Sequence, residues 1–108
     1  MYDDGFGQDQ EPIQSFRLNT CGTISDDFKT RVVRITDVSR VGIGFEIDDF
    51  AIKMNEVYET TIFCDDESVR LQLIVRYAHI MEKTIRYGCD IHRIAKNDLN
   101  KLYYDAAV

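Results

Sequence analysis

The chain has 108 residues, of which 44% are hydrophobic and 11% aromatic, and this composition is typical of one folded domain with a single core. Its formal net charge of −6 argues against non-specific binding to nucleic acid or to anionic lipid. The sequence has no apolar run as long as a membrane-spanning helix, and its acidic start lacks the basic and apolar regions of a signal peptide. We therefore expect a domain that neither inserts into a membrane nor binds nucleic acid.

The three cysteines are an odd number at wide spacing, which indicates reduced thiols rather than a disulfide framework. A cytoplasmic location is expected on this ground. Cys64 and Cys89 fall at inward-facing positions of predicted strands and are predicted to be core residues. The cysteines and histidines do not have the spacing of a zinc site, so neither a metal nor a cofactor is predicted.

The first twelve residues are rich in Gly, Gln and Asp and contain four acidic residues and no basic one. This composition predicts a flexible acidic N-terminal arm over residues 1–12, ahead of a single domain over residues 13–108. Apolar and polar residues then alternate in short runs that are separated by turn residues. Four strands are predicted in this part of the chain, over residues 13–20, 28–36, 41–47 and 57–64.

The fifth predicted strand, over residues 69–77, has the clearest alternation. Its apolar face consists of Val69, Leu71, Leu73, Val75 and Tyr77. A sixth strand follows over residues 84–91, and the short connection predicts an antiparallel hairpin. Residues 95–104 have the apolar spacing of a helix, with Asn97 as its cap. Together these elements predict a mainly β fold, a small six-stranded antiparallel β-barrel with a C-terminal α-helix.

A polar corner, Asp-Val-Ser-Arg-Val-Gly over residues 37–42, lies between the second and third predicted strands. Asp, Ser and Gly are residues that turns use, so a plain turn is one interpretation. A ligand site is another, because Asp37 can accept from N–H groups, Ser39 can donate to a phosphate, and Gly42 allows close approach of the backbone. Residues 13–43 contain five basic and three acidic residues, a net charge of +2, which would attract an anion to this corner.

The Asp-x-Ser-x-x-Gly corner, the long strand that ends near Tyr77 and the segment Arg-Tyr-Gly-Cys-Asp-Ile over residues 86–91 together resemble the PilZ family. The resemblance extends over residues 13–104. It implies a six-stranded barrel of the kind that commonly serves bacteria as a receptor for cyclic di-GMP. A second motif of that family, Arg-x-x-x-Arg, is matched in part, since Arg17 stands at the second arginine and Ile13 replaces the first.

The resemblance implies that cyclic di-GMP lies near the third strand, between the N-terminal arm and the corner. Arg17 would contact a phosphate or a guanine, and Asp37 would accept from the N1–H and amino groups of guanine. Ser39 would orient Asp37 or reach a phosphate, and Gly42 would leave room for the purine. Ordering of the arm over the ligand would change the face shown to a protein partner whose identity the sequence does not give.

The missing first arginine leaves a second hypothesis open. Arg34 and Arg40 are candidates to replace it, and with either of them the chain remains a cyclic di-GMP receptor. Otherwise the chain is a PilZ-like interaction or scaffold domain that no longer binds the ligand and acts in motility or pilus assemblies. Ile13 and the acidic arm favour this alternative, whereas the retained corner opposes it. Under both hypotheses the protein is not an enzyme, because Ser39 has no histidine nearby in the sequence to activate it.

Overall fold

Six strands and one helix make up the structure, a computed structural model that describes residues 15–48, 52–64 and 67–107. The strands are β1 (Ser15–Ser25), β2 (Thr30–Ser39), β3 (Gly42–Ile47), β4 (Val57–Cys64), β5 (Glu67–Ile80) and β6 (Ile85–Ile94), and helix α1 spans Lys96–Ala107. The predicted arm over residues 1–12 and the position of Ile13 lie outside the described residues.

The strands form a closed barrel in the order β1-β2-β3-β6-β5-β4, and every neighbouring pair is antiparallel. Pairing of β1 with β4 closes the barrel, so that each strand has a partner on both sides. The predicted fold, a six-stranded antiparallel barrel followed by a C-terminal helix, is confirmed. Within the described residues, no helix is long and apolar enough to cross a membrane.

Alternate residues of the strands fill the interior of the barrel. Phe45 of β3 is fully buried, and its ring stacks on that of Tyr87 of β6 with 5.3 Å between centroids. Leu102 of α1 is also fully buried, so the helix contributes to the same core. Cys64 and Cys89 are buried in the core, as predicted. Burial raises the pKa of Cys89 to about 12, so this thiol remains protonated and unreactive at neutral pH.

Of the register shifts in the barrel, two change the face on which side chains near the candidate functional site lie. The pairing of β2 with β3 shifts between Ile35 and Asp37, and the pairing of β5 with β6 shifts between Val75 and Tyr77. Because strand side chains alternate between two faces, one extra residue moves the next side chain to the opposite face. Tyr77 is therefore on the outer surface and 60% exposed, and its predicted place on the apolar face with Val75 is wrong.

Several predicted boundaries also differ from the structure; β1 runs to Ser25 and β5 to Ile80, beyond their predicted ends at residues 20 and 77. Strand β2 continues to Ser39, so that only Arg40 and Val41 connect it to β3. The first half of the polar corner is therefore strand, and its last residue, Gly42, begins β3. Helix α1 begins at Lys96, which puts Asn97 in its first turn, and the prediction of Asn97 as the cap is wrong.

Candidate functional site

An open cleft of about 550 Å³ lies on the outer face of the barrel. This volume is within the range of small-molecule sites in proteins. Residues from four strands line the cleft: Leu18 and Asn19 of β1, Arg34, Thr36 and Asp37 of β2, Glu46 of β3 and Arg86 of β6. Its walls therefore carry two carboxylates and two guanidinium groups.

Glu46 is the electrostatic centre of the cleft. Its side chain is 8% exposed and accepts hydrogen bonds from Arg34 (Nη2 to Oε1, 2.6 Å) and from Arg86 (Nη2 to Oε2, 2.9 Å). The three residues lie in one row, because Arg34 is opposite Glu46 in the β2–β3 pairing and Glu46 is opposite Arg86 in the β3–β6 pairing. Hydrogen bonds from Arg86 and then Arg34 hold the pKa of Glu46 below its usual value.

We expect Glu46→Gln to reduce stability at neutral pH and to make the stability less sensitive to acid. The folded-state pKa of Glu46 is lower than its ordinary value of 4.5, so the stabilisation is present above about pH 4.5 and is lost as the pH falls through the folded-state value. The guanidinium partners are about half exposed, which limits the effect to about 1–2 kcal/mol. Urea unfolding of wild type and Glu46→Gln at neutral and acidic pH measures the difference in their free energies of unfolding.

The exposed Glu59 accepts a hydrogen bond from Gln72 at 2.6 Å and provides the matched control. Glu59→Gln should change the stability little at either pH. An equal difference between wild type and Glu46→Gln at neutral and acidic pH would contradict the prediction, because it would show no linkage to protonation of Glu46.

Asp37 lies at the bulge of β2, where the strand turns this side chain outward. In the strand pairings it is opposite Arg17 on β1 and Gly44 on β3. Its carboxylate lies over Gly44, where a Cβ would overlap Oδ1 and would come within 3.1 Å of Cγ. Thr36 donates a hydrogen bond from Oγ1 to Oδ1 at 3.2 Å. The absence of a side chain at Gly44 therefore gives the carboxylate its position beside the cleft.

A smaller cavity of about 180 Å³, here named the side cavity, adjoins the cleft at Asp37. Gly44 and Gly88 contribute backbone to its lining, and Tyr77 of β5 contributes an aromatic ring. Arg76 is at the same cavity and pairs with Asp90, with 2.9 Å between Nε and Oδ2. Asp37 thus borders a charged cleft on one side and a cavity lined by backbone and an aromatic ring on the other.

The structure brings together part of the predicted residue set. Arg34 and Asp37 both line the cleft. The backbone of Arg17 is opposite Asp37, and the two residues after Arg17 line the cleft as well. Arg40 is exposed in the β2–β3 connection and lines neither the cleft nor the side cavity. Of the two arginines considered as replacements, Arg34 is the one at the cleft.

Ser39 and Gly42 have roles within the β2–β3 connection. The hydroxyl of Ser39 accepts hydrogen bonds from the backbone N–H of Val41 at 3.3 Å and of Gly42 at 3.1 Å, and it lies 3.4 Å from the Gly42 carbonyl oxygen, to which it can donate. A Cβ on Gly42 would come within 2.7 Å of the backbone oxygen of Cys89. Both residues also border the side cavity, but the turn and the close approach of β3 to β6 account for them without a ligand.

No sequence pattern pointed to Glu46, Arg86 or Tyr77 as residues of the site. Glu46 and Arg86 occur as single charged residues in alternating strands, a pattern that also describes an ordinary solvent-facing side chain. Only the pairing of β3 with β6 joins them across 40 positions of sequence. Among the residues that the structure describes, there is no cluster of three His, Cys, Asp or Glu side chains that could hold a metal ion.

No protein-family model matches the sequence, and a search of curated proteins also finds no match. Solved structures do match. The inhibitor of motility MotI/DgrA of Bacillus subtilis has a TM-score of 0.77 at 14% identity, covering 91% of this chain and 50% of that one. The MrkH–c-di-GMP complex of K. pneumonia has a TM-score of 0.74 at 12% identity, covering 91% and 52%. The PilZ domain of Escherichia coli YcgR with c-di-GMP has a TM-score of 0.72 at 13% identity, covering 91% and 89%.

These likenesses define the class of the fold, a small closed antiparallel β-barrel. More specifically, the chain has the fold of a PilZ-like domain, as the sequence motifs indicated. It spans about half the length of the MotI/DgrA and MrkH structures and most of the YcgR PilZ domain.

Proposed function

We propose that this chain is a PilZ-type receptor domain that binds cyclic di-GMP in the cleft and transmits the signal by contact with a protein partner. One observation carries the proposal: the Asp37 carboxylate lies at the junction of the charged cleft and the side cavity. Cyclic di-GMP combines anionic phosphates with guanine bases that carry N–H donors. A site for it needs cations and a carboxylate side by side.

Asp37 and the two arginines of the cleft match those parts of the ligand. A carboxylate accepts from two adjacent N–H groups, and guanine presents such a pair at N1 and its amino group. The guanidinium groups suit phosphate, and the side chains of Arg34 and Arg86 are 58% and 41% exposed, which leaves N–H groups open to solvent. On β1, the backbone of Arg17 is paired with that of Asp37.

Arg34 and Arg86 compensate for the arginine that Ile13 replaces. Glu46 and Asp37 balance the charges of these two arginines, so the lining of the cleft is close to neutral overall. A neutral lining attracts a simple phosphate weakly. It favours a ligand that offers both an anion to the guanidinium groups and donors to Asp37, which is the combination that cyclic di-GMP has.

Calorimetric titration of the protein with cyclic di-GMP tests this proposal. We expect a dissociation constant of about micromolar or tighter. Cyclic di-AMP is the matched control, because it keeps the phosphates but lacks the adjacent N1–H and amino donors. It should bind at least about tenfold more weakly, because the Asp37 carboxylate would face the unprotonated N1 of adenine, which cannot donate a hydrogen bond to it. Absence of both heat and a thermal shift with millimolar cyclic di-GMP would overturn the proposal.

A second candidate function is that of an interaction domain that works through protein contacts without the ligand. Exposed apolar side chains near the hairpin ends favour it: Phe28 is 93% exposed in the β1–β2 connection, and Ile80 at the end of β5 is 69% exposed. A failed titration together with a protein partner that Phe28→Ser and Ile80→Ser release would support this function instead.

A further inference from the structure

Four residues form a single row across four adjacent strands on the outer face. Asp37 of β2 is opposite Gly44 of β3, which is opposite Gly88 of β6, which in turn is opposite Tyr77 of β5. The bulges of β2 and β5 lie next to the two ends of this row. The row is thus a strip of bare backbone with a carboxylate at one end and an aromatic ring at the other.

The ring of Tyr77 lies on Gly88. A Cβ on Gly88 would overlap Cε2 and Cζ of the ring and would come within 2.5 Å of its hydroxyl oxygen. Tyr77 is nevertheless 60% exposed, so the side chain rests on the β6 backbone and leaves much of its surface open to solvent. Large exposed aromatic surface beside a cavity is suited to stacking with a flat ligand.

The spacing of the strip suits a purine. Adjacent strands are about 4.8 Å apart, so a carboxylate over Gly44 and a ring over Gly88 are close neighbours. One base can therefore direct its donor edge to Asp37 and also contact the ring of Tyr77. Both residues line the side cavity, which adjoins the cleft with its two guanidinium groups.

We propose that Tyr77 is the stacking residue for one guanine of the ligand and that Gly88 positions its ring. This inference rests on the proposed function and assigns the side cavity to the base and the cleft to the phosphates. The carboxylate selects the donor edge of guanine, while the tyrosine ring supplies affinity for the purine face.

The test is titration of Tyr77 and Gly88 variants with cyclic di-GMP. Tyr77→Ala should weaken binding by about tenfold, the loss expected when one base loses its aromatic partner. Tyr77→Phe keeps the ring and should bind nearly as wild type does. Gly88→Ala keeps the ring but displaces it, and it should weaken binding about as much as Tyr77→Ala. Ile80→Ala, an exposed apolar residue of the same strand, is the control and should have no effect.

The double variant Tyr77→Ala, Gly88→Ala separates positioning from direct contact. If Gly88 acts only through the ring, the double variant binds as the Tyr77→Ala variant does. A further loss in the double variant would refute the positioning role. Normal binding by Tyr77→Ala would overturn the stacking role and leave the proposed function intact, whereas failure of the wild type to bind would overturn both.

Discussion

Replacement of Asp37 by alanine is expected to weaken cyclic di-GMP binding by roughly tenfold to hundredfold. The carboxylate is the acceptor at the junction of the cleft and the side cavity, and its loss leaves the two guanine donors without partners. Charge-assisted hydrogen bonds of this kind are worth about 1.5–3 kcal/mol. Asp37→Asn should give an intermediate loss, because it keeps one acceptor oxygen, removes the charge and replaces the other acceptor with an N–H donor. Calorimetric titration of wild type, Asp37→Asn and Asp37→Ala with cyclic di-GMP measures the order of their affinities.

Thr36→Val is the control for local structure at the bulge. It removes the hydrogen bond from Thr36 to Asp37 and leaves the carboxylate in place, so binding should fall by much less. Thermal unfolding of each variant shows whether the barrel is intact. If the folded Asp37→Ala variant binds as tightly as wild type, Asp37 has only a structural role at the bulge, and its role as guanine acceptor is contradicted.

The strands of the barrel could be predicted from local sequence patterns, chiefly the alternation of inward and outward side chains. Strand β4 was predicted over residues 57–64 and has those limits, and its side chains alternate between the outer face and the core along the whole strand. Strand β5 was predicted from the same alternation, which holds up to Val75. Beyond that residue a bulge reverses the phase, and the sequence has no Gly or Pro there to mark it. Tyr77 was misplaced for that reason.

The residues that line the cleft could be predicted from the sequence only where they are close together in it. Asp37 belongs to the Asp-x-Ser-x-x-Gly corner, and Arg34 lies three residues before it in the same positively charged segment, so motif and charge pointed to them. Glu46 and Arg86 depend on the register of β3 against β6, and a one-residue slip would have moved either to the opposite face. Ser39 was predicted as a ligand contact from its place in the same corner. In the structure its hydroxyl instead forms hydrogen bonds within the β2–β3 connection.

Gly44→Ala is expected to reduce cyclic di-GMP binding about as much as Asp37→Ala does, roughly tenfold to hundredfold, although it leaves every charged group in place. The added methyl group would overlap the Asp37 carboxylate, and that short side chain must rotate away from its position at the junction. Stability should change little, because the atoms that have to move belong to side chains at the surface. The double variant Asp37→Ala, Gly44→Ala should bind no more weakly than Asp37→Ala, since both changes remove the same contact.

Gly42→Ala, two residues away on the same strand, is the matched control and should behave in the opposite way. Its methyl group would meet the backbone oxygen of Cys89 at 2.7 Å, and backbone in the middle of a barrel strand has little freedom to move. We expect a loss of about 1–3 kcal/mol in the free energy of unfolding and near-normal binding by the folded protein. Chemical unfolding and titration of both variants distinguish the two glycines. Normal binding by Gly44→Ala would show that the position of the Asp37 carboxylate over β3 is not what recognises the base.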